Sequence, residues 1–224
     1  TRAAGIGDIR KVGSGNIGAT NVGRILGWHW FFVVLLLDFA KGCGPTLAAA
    51  RWAAPLTEAM PWWQQPTQVT IAAGVAAIIG HLWPCWLRFR GGKGVATGLG
   101  VIVALAPLAS WWPLAVATLG FALCLAAFRY VSLASMVSAV AYSVTHLLVA
   151  PQPWTAGNAS LTFFSLLIPA LVILRHRANV GRLLRGEEPR LGSRKRQAAE
   201  GETPEQAASG AQAPESTTTR RSPS

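Results

Sequence analysis

The chain has 224 residues, of which 51% are hydrophobic and only 13% charged, with ten tryptophans among them. A soluble domain of this length would carry about a quarter charged residues, so a large water-soluble core is excluded. The formal charge of +11 lies mostly in short connections between apolar blocks, which speaks for membrane topology and anionic ligands and against a nucleic-acid footprint.

Residues 1–24 are polar and glycine-rich, and six apolar runs follow, at about 25–50, 69–86, 95–108, 111–128, 133–149 and 161–174. In lipid no water satisfies backbone groups, so each run is expected to be helical. A crossing takes about 20 helical residues. The third and sixth runs are therefore expected to extend into their glycine or basic flanks. The fold class read from this is all-α: a polytopic integral membrane helix bundle with six spans over residues 1–189. Residues 190–224 are polar and lack an apolar period, and read as a disordered cytoplasmic tail.

Within the first run, Asp38 and Lys41 stand three apart on one helix face and read as a structural ion pair. Trp62 and Trp63 suit an interfacial belt. His29 and His146, among apolar neighbours, read as structural. Cys43, Cys85 and Cys124 match neither a metal spacing nor a paired disulfide framework and read as small buried hydrophobes.

An even number of crossings separates the polar stretches near residues 10–24, 81–97, 129–132 and 175–188. That puts all four on one side of the membrane. Of the twenty Lys and Arg, all but Lys41 and Arg51 fall on that side or in the tail, and by the positive-inside rule the side is cytoplasmic.

Three of these stretches carry chemistry. Gly13-Ser14-Gly15-Asn16-Ile17-Gly18 has the form G-x-G-x-x-G, but it precedes a membrane run instead of sitting in a soluble βαβ unit, so a dinucleotide fingerprint is rejected. Its glycines permit close backbone approach, Ser14, Thr20 and Asn21 bring hydrogen-bonding groups, and Arg24 adds a fork for phosphate. In Arg90-Gly91-Gly92-Lys93-Gly94, Gly91 and Gly92 are expected to free backbone N–H groups and Lys93 to supply a point charge. The helix that follows aims its positive end at the turn, completing a phosphate cradle. This is no Walker A loop, since Lys93 is followed by Gly94. In the third stretch His176, Asn179 and Arg182 fall on one face if the helix continues. His176 is suited to orienting a hydroxyl or stabilising an oxyanion, whereas Arg175, Arg177 and Arg185 read as topology signals. His81 reads equally as ligand or as interfacial residue. No carboxylate cluster suggests a metal, and the cationic ligands Arg24, Lys93 and Arg182 make one unnecessary; no cofactor is expected.

Taken together, residues 11–24, 80–97 and 176–188, with the linking 129–135 and 35–42, resemble the bacterial membrane glycerol-3-phosphate acyltransferases that use acyl phosphate, the PlsY family. The likeness covers residues 8–188. It implies acyl transfer from acyl phosphate to the 1-hydroxyl of glycerol 3-phosphate, giving lysophosphatidic acid and phosphate in phospholipid synthesis. It also implies a site facing the cytoplasm in the inner membrane, beside membrane lipid, and a functional link to an enzyme that supplies acyl phosphate. Ser14, Thr20, Asn21, Arg24, Lys93, His176 and Asn179 would form that site, with Arg182 and Glu188 as further motif residues. The family has seven spans, the first ahead of the first motif, and that helix is not found in this sequence. A transporter of a phosphorylated solute is the competing reading. It would place its ligands near the bilayer midplane, not at one face.

Overall fold

The computed structural model describes residues 7–55 and 60–192, and all its regular elements there are helical. A short helix, α1 (Ala19–Leu26), precedes α2 (Trp28–Ala53), followed by α3 (Pro66–Leu82), α4 (Val95–Leu105), α5 (Trp112–Phe128), α6 (Val131–Val149), α7 (Ala159–Arg175) and α8 (Arg177–Leu184). All lie in the compact unit that ends at Arg190. The tail expected from residue 190 lies, from residue 193 on, outside the described residues.

Every apolar run became a helix, but two boundaries depart from expectation. The third run does not extend into its glycine flank: Gly94, at φ +79°, precedes Val95 in a left-handed conformation that cannot continue a helix. The sixth reaches only Arg175, and a bend of 59° at His176 separates it from α8. Three helices among the described residues, α2, α3 with its following turn, and α6, are long and apolar enough to cross a bilayer, and α7 with α8 forms a fourth if taken as one bent span. Helices α4 and α5 are apolar but shorter.

Outward faces are lipid-like: Leu36, Leu37, Leu119, Leu123 and Leu148 are all exposed. The inward side packs Ile71, Ile78 and Leu82 of α3 against Val101 and Leu105 of α4, with Tyr142 of α6 and Phe164, Ile168 and Val172 of α7. Because lipid gives helices no hydrophobic reason to associate, close packing has to hold them. Gly100 lets α4 lie against the backbone of α2 at Phe39 and Cys43, and Gly42 does the same for α2 at Thr97. Pro169 removes the N–H that would reach the Ser165 carbonyl one turn back. The Ser143 hydroxyl of α6 donates to that carbonyl instead. His146 is structural as expected: its Nε2 lies 3.3 Å from Thr162 Oγ1, which itself donates to Pro153 O. Cys124 is buried, Cys43 half-buried and Cys85 exposed, so the buried reading fails for Cys85, which sits in a turn after α3 instead of within it.

Candidate active site

Residues of the loop before α1, of α1 and α2, of the end of α3, of α4 to α6, of the end of α7 and of α8 meet around one cavity of about 380 Å³. Ser14, Thr20, Asn21, Arg24, Lys93, His176 and Asn179, assigned from three separate stretches, all line it. Much of the rest of its wall is apolar, with Leu99, Ile102, Leu114, Phe121 and Ile168 drawn from α4, α5 and α7. The cavity thus combines Arg24 and Lys93, the carboxylates Asp38 and Glu188, and a large apolar surface.

The first loop is built by Asn21. This side chain is 2% exposed. Its Oδ1 accepts the Ser14 N–H at 2.9 Å, and its Nδ2 donates to Val12 O and Asn16 O at 3.1 and 2.9 Å. Both amide donors are therefore spent on the loop. Asn21, expected as a direct ligand, lines the cavity and also shapes the turn that presents Ser14. Asn16 Oδ1 accepts from Gly18 N–H at 2.8 Å just ahead of α1. An eight-residue helix within the polar stretch was not anticipated.

The second loop also differs from the cradle expected. Gly91 N–H donates to Leu82 O and Gly92 N–H to His81 O, both at 3.2 Å. These donors close the end of α3, and neither glycine lines the cavity. The N–H groups expected to be free are thus occupied, and the missing side chains answer a close contact. A Cβ on Gly91 would overlap the His81 and Leu82 carbonyls, and one on Gly92 would overlap the His81 ring. Lys93 emerges from this tight turn into the cavity, where its Nζ lies 2.5 Å from Asn179 Oδ1. Burial in the apolar surroundings lowers its pKa to about 8, with Glu188 acting in the opposite sense and the charges of Arg182, Arg24 and Arg175 adding to the fall.

The third stretch organises a carboxylate. Asn179 Nδ2 donates to Glu188 Oε1 at 2.6 Å, the Ser132 hydroxyl to the same oxygen at 2.7 Å, and Arg182 Nε to Oε2 at 2.7 Å. Burial alone would raise the Glu188 pKa, but the three hydrogen bonds outweigh it and hold the carboxyl below its usual range. Asn179 thus stands between a lysine and a carboxylate, with its oxygen toward the cation and its amide nitrogen toward the anion. Arg182 does not line the cavity; it reaches the site through Glu188. His176 is 2% exposed, and its Nδ1 lies 2.7 Å from Val172 O. A carbonyl only accepts, so Nδ1 carries the proton and Nε2 is left as the basic nitrogen of the ring.

Several lining residues were not assigned from the sequence. Ser132 follows the left-handed Arg129, φ +62°, that ends α5; a serine just after an Arg-Tyr break was the only available hint. Asp38 pairs with Lys41 at 2.8 Å as expected, but it also lines the cavity with His81, whose Nδ1 lies 3.6 Å from Asp38 Oδ1. Arg24 Nη2 donates to Pro189 O at 3.2 Å, tying α1 to the segment that carries Glu188.

A sequence model of the family described as glycerol-3-phosphate acyltransferase matches residues 1–186. This chain belongs to that family. Glycerol-3-phosphate acyltransferases similar to it include one from Halorhodospira halophila, 45% identical over 193 residues that cover 86% of this chain and 87% of the relative. Another, from Prochlorococcus marinus (strain NATL1A), is 43% identical over 188 residues, covering 83% and 85%. Among solved structures, the glycerol 3-phosphate form of PlsY, an integral membrane glycerol 3-phosphate acyltransferase, superposes with a TM-score of 0.69 at 36% identity, covering 87% of this chain and 86% of that one. Its lysophosphatidic acid form gives 0.62 at the same 36% identity, covering 80% and 82%. The glycerol-3-phosphate acyltransferase described here is therefore an integral membrane enzyme, and the transporter alternative falls.

Proposed function

We propose that the enzyme transfers an acyl group from acyl phosphate to the 1-hydroxyl of glycerol 3-phosphate. The site would face the cytoplasm, in the inner membrane of a bacterium, in a bundle that crosses six times. The observation that carries this reading is the cavity itself, which brings Arg24 and Lys93 together with a large apolar wall. Two phosphorylated substrates account for Arg24 and Lys93, and an acyl chain accounts for the walls supplied by α4 to α7. In this reading the C1 hydroxyl oxygen attacks the acyl carbonyl carbon, a new ester C–O bond forms, the C–O bond to phosphate breaks, and inorganic phosphate leaves. The hydroxyl proton goes to Nε2 of His176 or to the departing phosphate. Acyl phosphate is already activated, so no acyl-enzyme is required. The protein's part is to hold both phosphates and neutralise developing charge, with Ser14, Thr20 and Asn179 completing the polar lining. An enzyme that makes acyl phosphate would be the functional partner.

The test is acyl transfer by the purified chain in lipid, with labelled glycerol 3-phosphate offered acyl phosphate, acyl-CoA and acyl carrier protein in turn. Lysophosphatidate formed from acyl phosphate alone is expected. Product from either thioester donor at a comparable rate would overturn the donor assignment.

A further inference from the structure

Arg175 ends α7 and reads in sequence as a topology signal. Its guanidinium instead spans the chain to the glycine turn: Nε donates to Gly92 O at 3.1 Å, and Nη2 donates to Gly91 O at 2.9 Å and to Gly92 O at 2.8 Å. Its Cζ lies 5.7 Å over the ring of Trp83, so the fork is fixed in plane by stacking as well. On the far side of the turn, the His81 ring packs so closely beneath Gly92 that no Cβ fits between them.

The turn needs such a hold. Arg88 and Phe89, two consecutive residues other than glycine, adopt left-handed conformations at φ +53° and +58°. Side-chain residues rarely adopt this region, and two in a row are kept there only by surrounding contacts. Lys93 is the next residue after the two carbonyls that Arg175 grips.

We propose that Arg175 is a positioning residue of the acyltransferase: its bidentate grip on the Gly91 and Gly92 carbonyls, against His81 below and Trp83 behind, fixes the turn that aims Lys93 into the cavity. Arg175 itself does not line the cavity, so it acts through Lys93. A lysine at 175 would retain the positive charge that topology needs, but it offers a point donor in place of a planar fork.

The proposal rests on Lys93 as a phosphate ligand, and the experiment separates the two. Hydrogen exchange of the peptide covering residues 88–95 is measured in the substrate-free full chain for wild type, Arg175→Lys and Arg175→Gln. Kinetics then use whichever donor the wild type accepts. Both variants are expected to exchange faster in this peptide. Their kcat/KM for glycerol 3-phosphate should fall roughly 10- to 100-fold, as for a catalytic group displaced by about an ångström. Their alkaline limb should move up from about pH 8 toward the ordinary lysine value of 10.5, as water reaches Lys93. If Arg175→Lys keeps wild-type exchange, wild-type kcat/KM and the wild-type alkaline limb, Arg175 is a topology charge only and the proposal fails, whatever happens to the glutamine variant. Faster exchange and a displaced limb in Arg175→Lys, with the far-ultraviolet spectrum unchanged, would support it.

Discussion

Lys93 Nζ and Asn179 Oδ1 lie 2.5 Å apart although 86 residues separate them. The contact joins the glycine turn before α4 to the first turn of α8, and through Asn179 it links the lysine to Glu188. The site is therefore a polar chain stretched between loops that no single helix carries.

Breaking that chain at its cationic end should be the most damaging single change. Lys93→Ala is expected to lower kcat/KM by about 10²- to 10³-fold, the usual result of deleting one preorganised charge-stabilising group. Asn179→Ala, which leaves the lysine in place but unaligned, should cost about tenfold, equivalent to one hydrogen bond. Steady-state acyl transfer in lipid measures both; a Lys93→Ala enzyme within threefold of wild type would remove Lys93 from the site.

The depressed Lys93 pKa of about 8 predicts an alkaline limb in the free enzyme. The charged form, which is the one that attracts phosphate, is lost as pH rises through that value. Affinity for glycerol 3-phosphate should therefore fall about tenfold for each pH unit above it. The linkage to stability has the opposite sign. Between about 8 and the ordinary 10.5 the unfolded chain holds more protons than the folded one at this residue, so its contribution to stability rises with pH. Titrating kcat/KM from pH 6 to 10, with Lys93→Arg as the comparison, checks this: the limb should vanish in the arginine variant.

Glu188 is the anchor of the third stretch, with a side chain only 5% exposed. Glu188→Gln keeps the shape but removes the charge that Arg182 and the Ser132 hydroxyl address, and should destabilise the enzyme by about 1–3 kcal/mol. Thermal unfolding in detergent measures the loss. The folded carboxyl lies below its ordinary value, so its stabilising effect is present above the ordinary value of 4.5 and disappears as pH falls through the folded one. The difference between wild type and variant should accordingly shrink in acid.

The packing of α2 on α4 makes a prediction independent of catalysis. Gly100→Ala would drive a methyl group into the backbone at Phe39 and Cys43 and should cost about 1–3 kcal/mol through overpacking. Gly44, on the same α2 but with open space around it, provides the contrast: Gly44→Ala should be neutral or gain about 0.5–1 kcal/mol from helix propensity. Equal unfolding midpoints for the two variants would show that the helices separate without penalty.

The sequence by itself determined the helices, because a chain in lipid must satisfy its own backbone and long apolar runs leave no alternative. Charge distribution and crossing parity led to the expectation that the polar stretches share one side, and seven of the assigned residues do line one cavity. Tertiary structure decided what those residues do there. Gly91 and Gly92 looked like phosphate donors, yet their N–H groups cap α3, a use set by a neighbouring helix end. Asn21 looked like a ligand; it lines the cavity and also builds the loop around Ser14. Arg175 looked like a topology charge and grips the turn before Lys93, while Ser132 carried almost no signal until Glu188 came to meet it. In each case the residue type was legible but its partner was not, because hydrogen-bond partners here come from segments far apart in the chain. Composition and period fix a helix locally; only the packed bundle fixes which polar groups face each other.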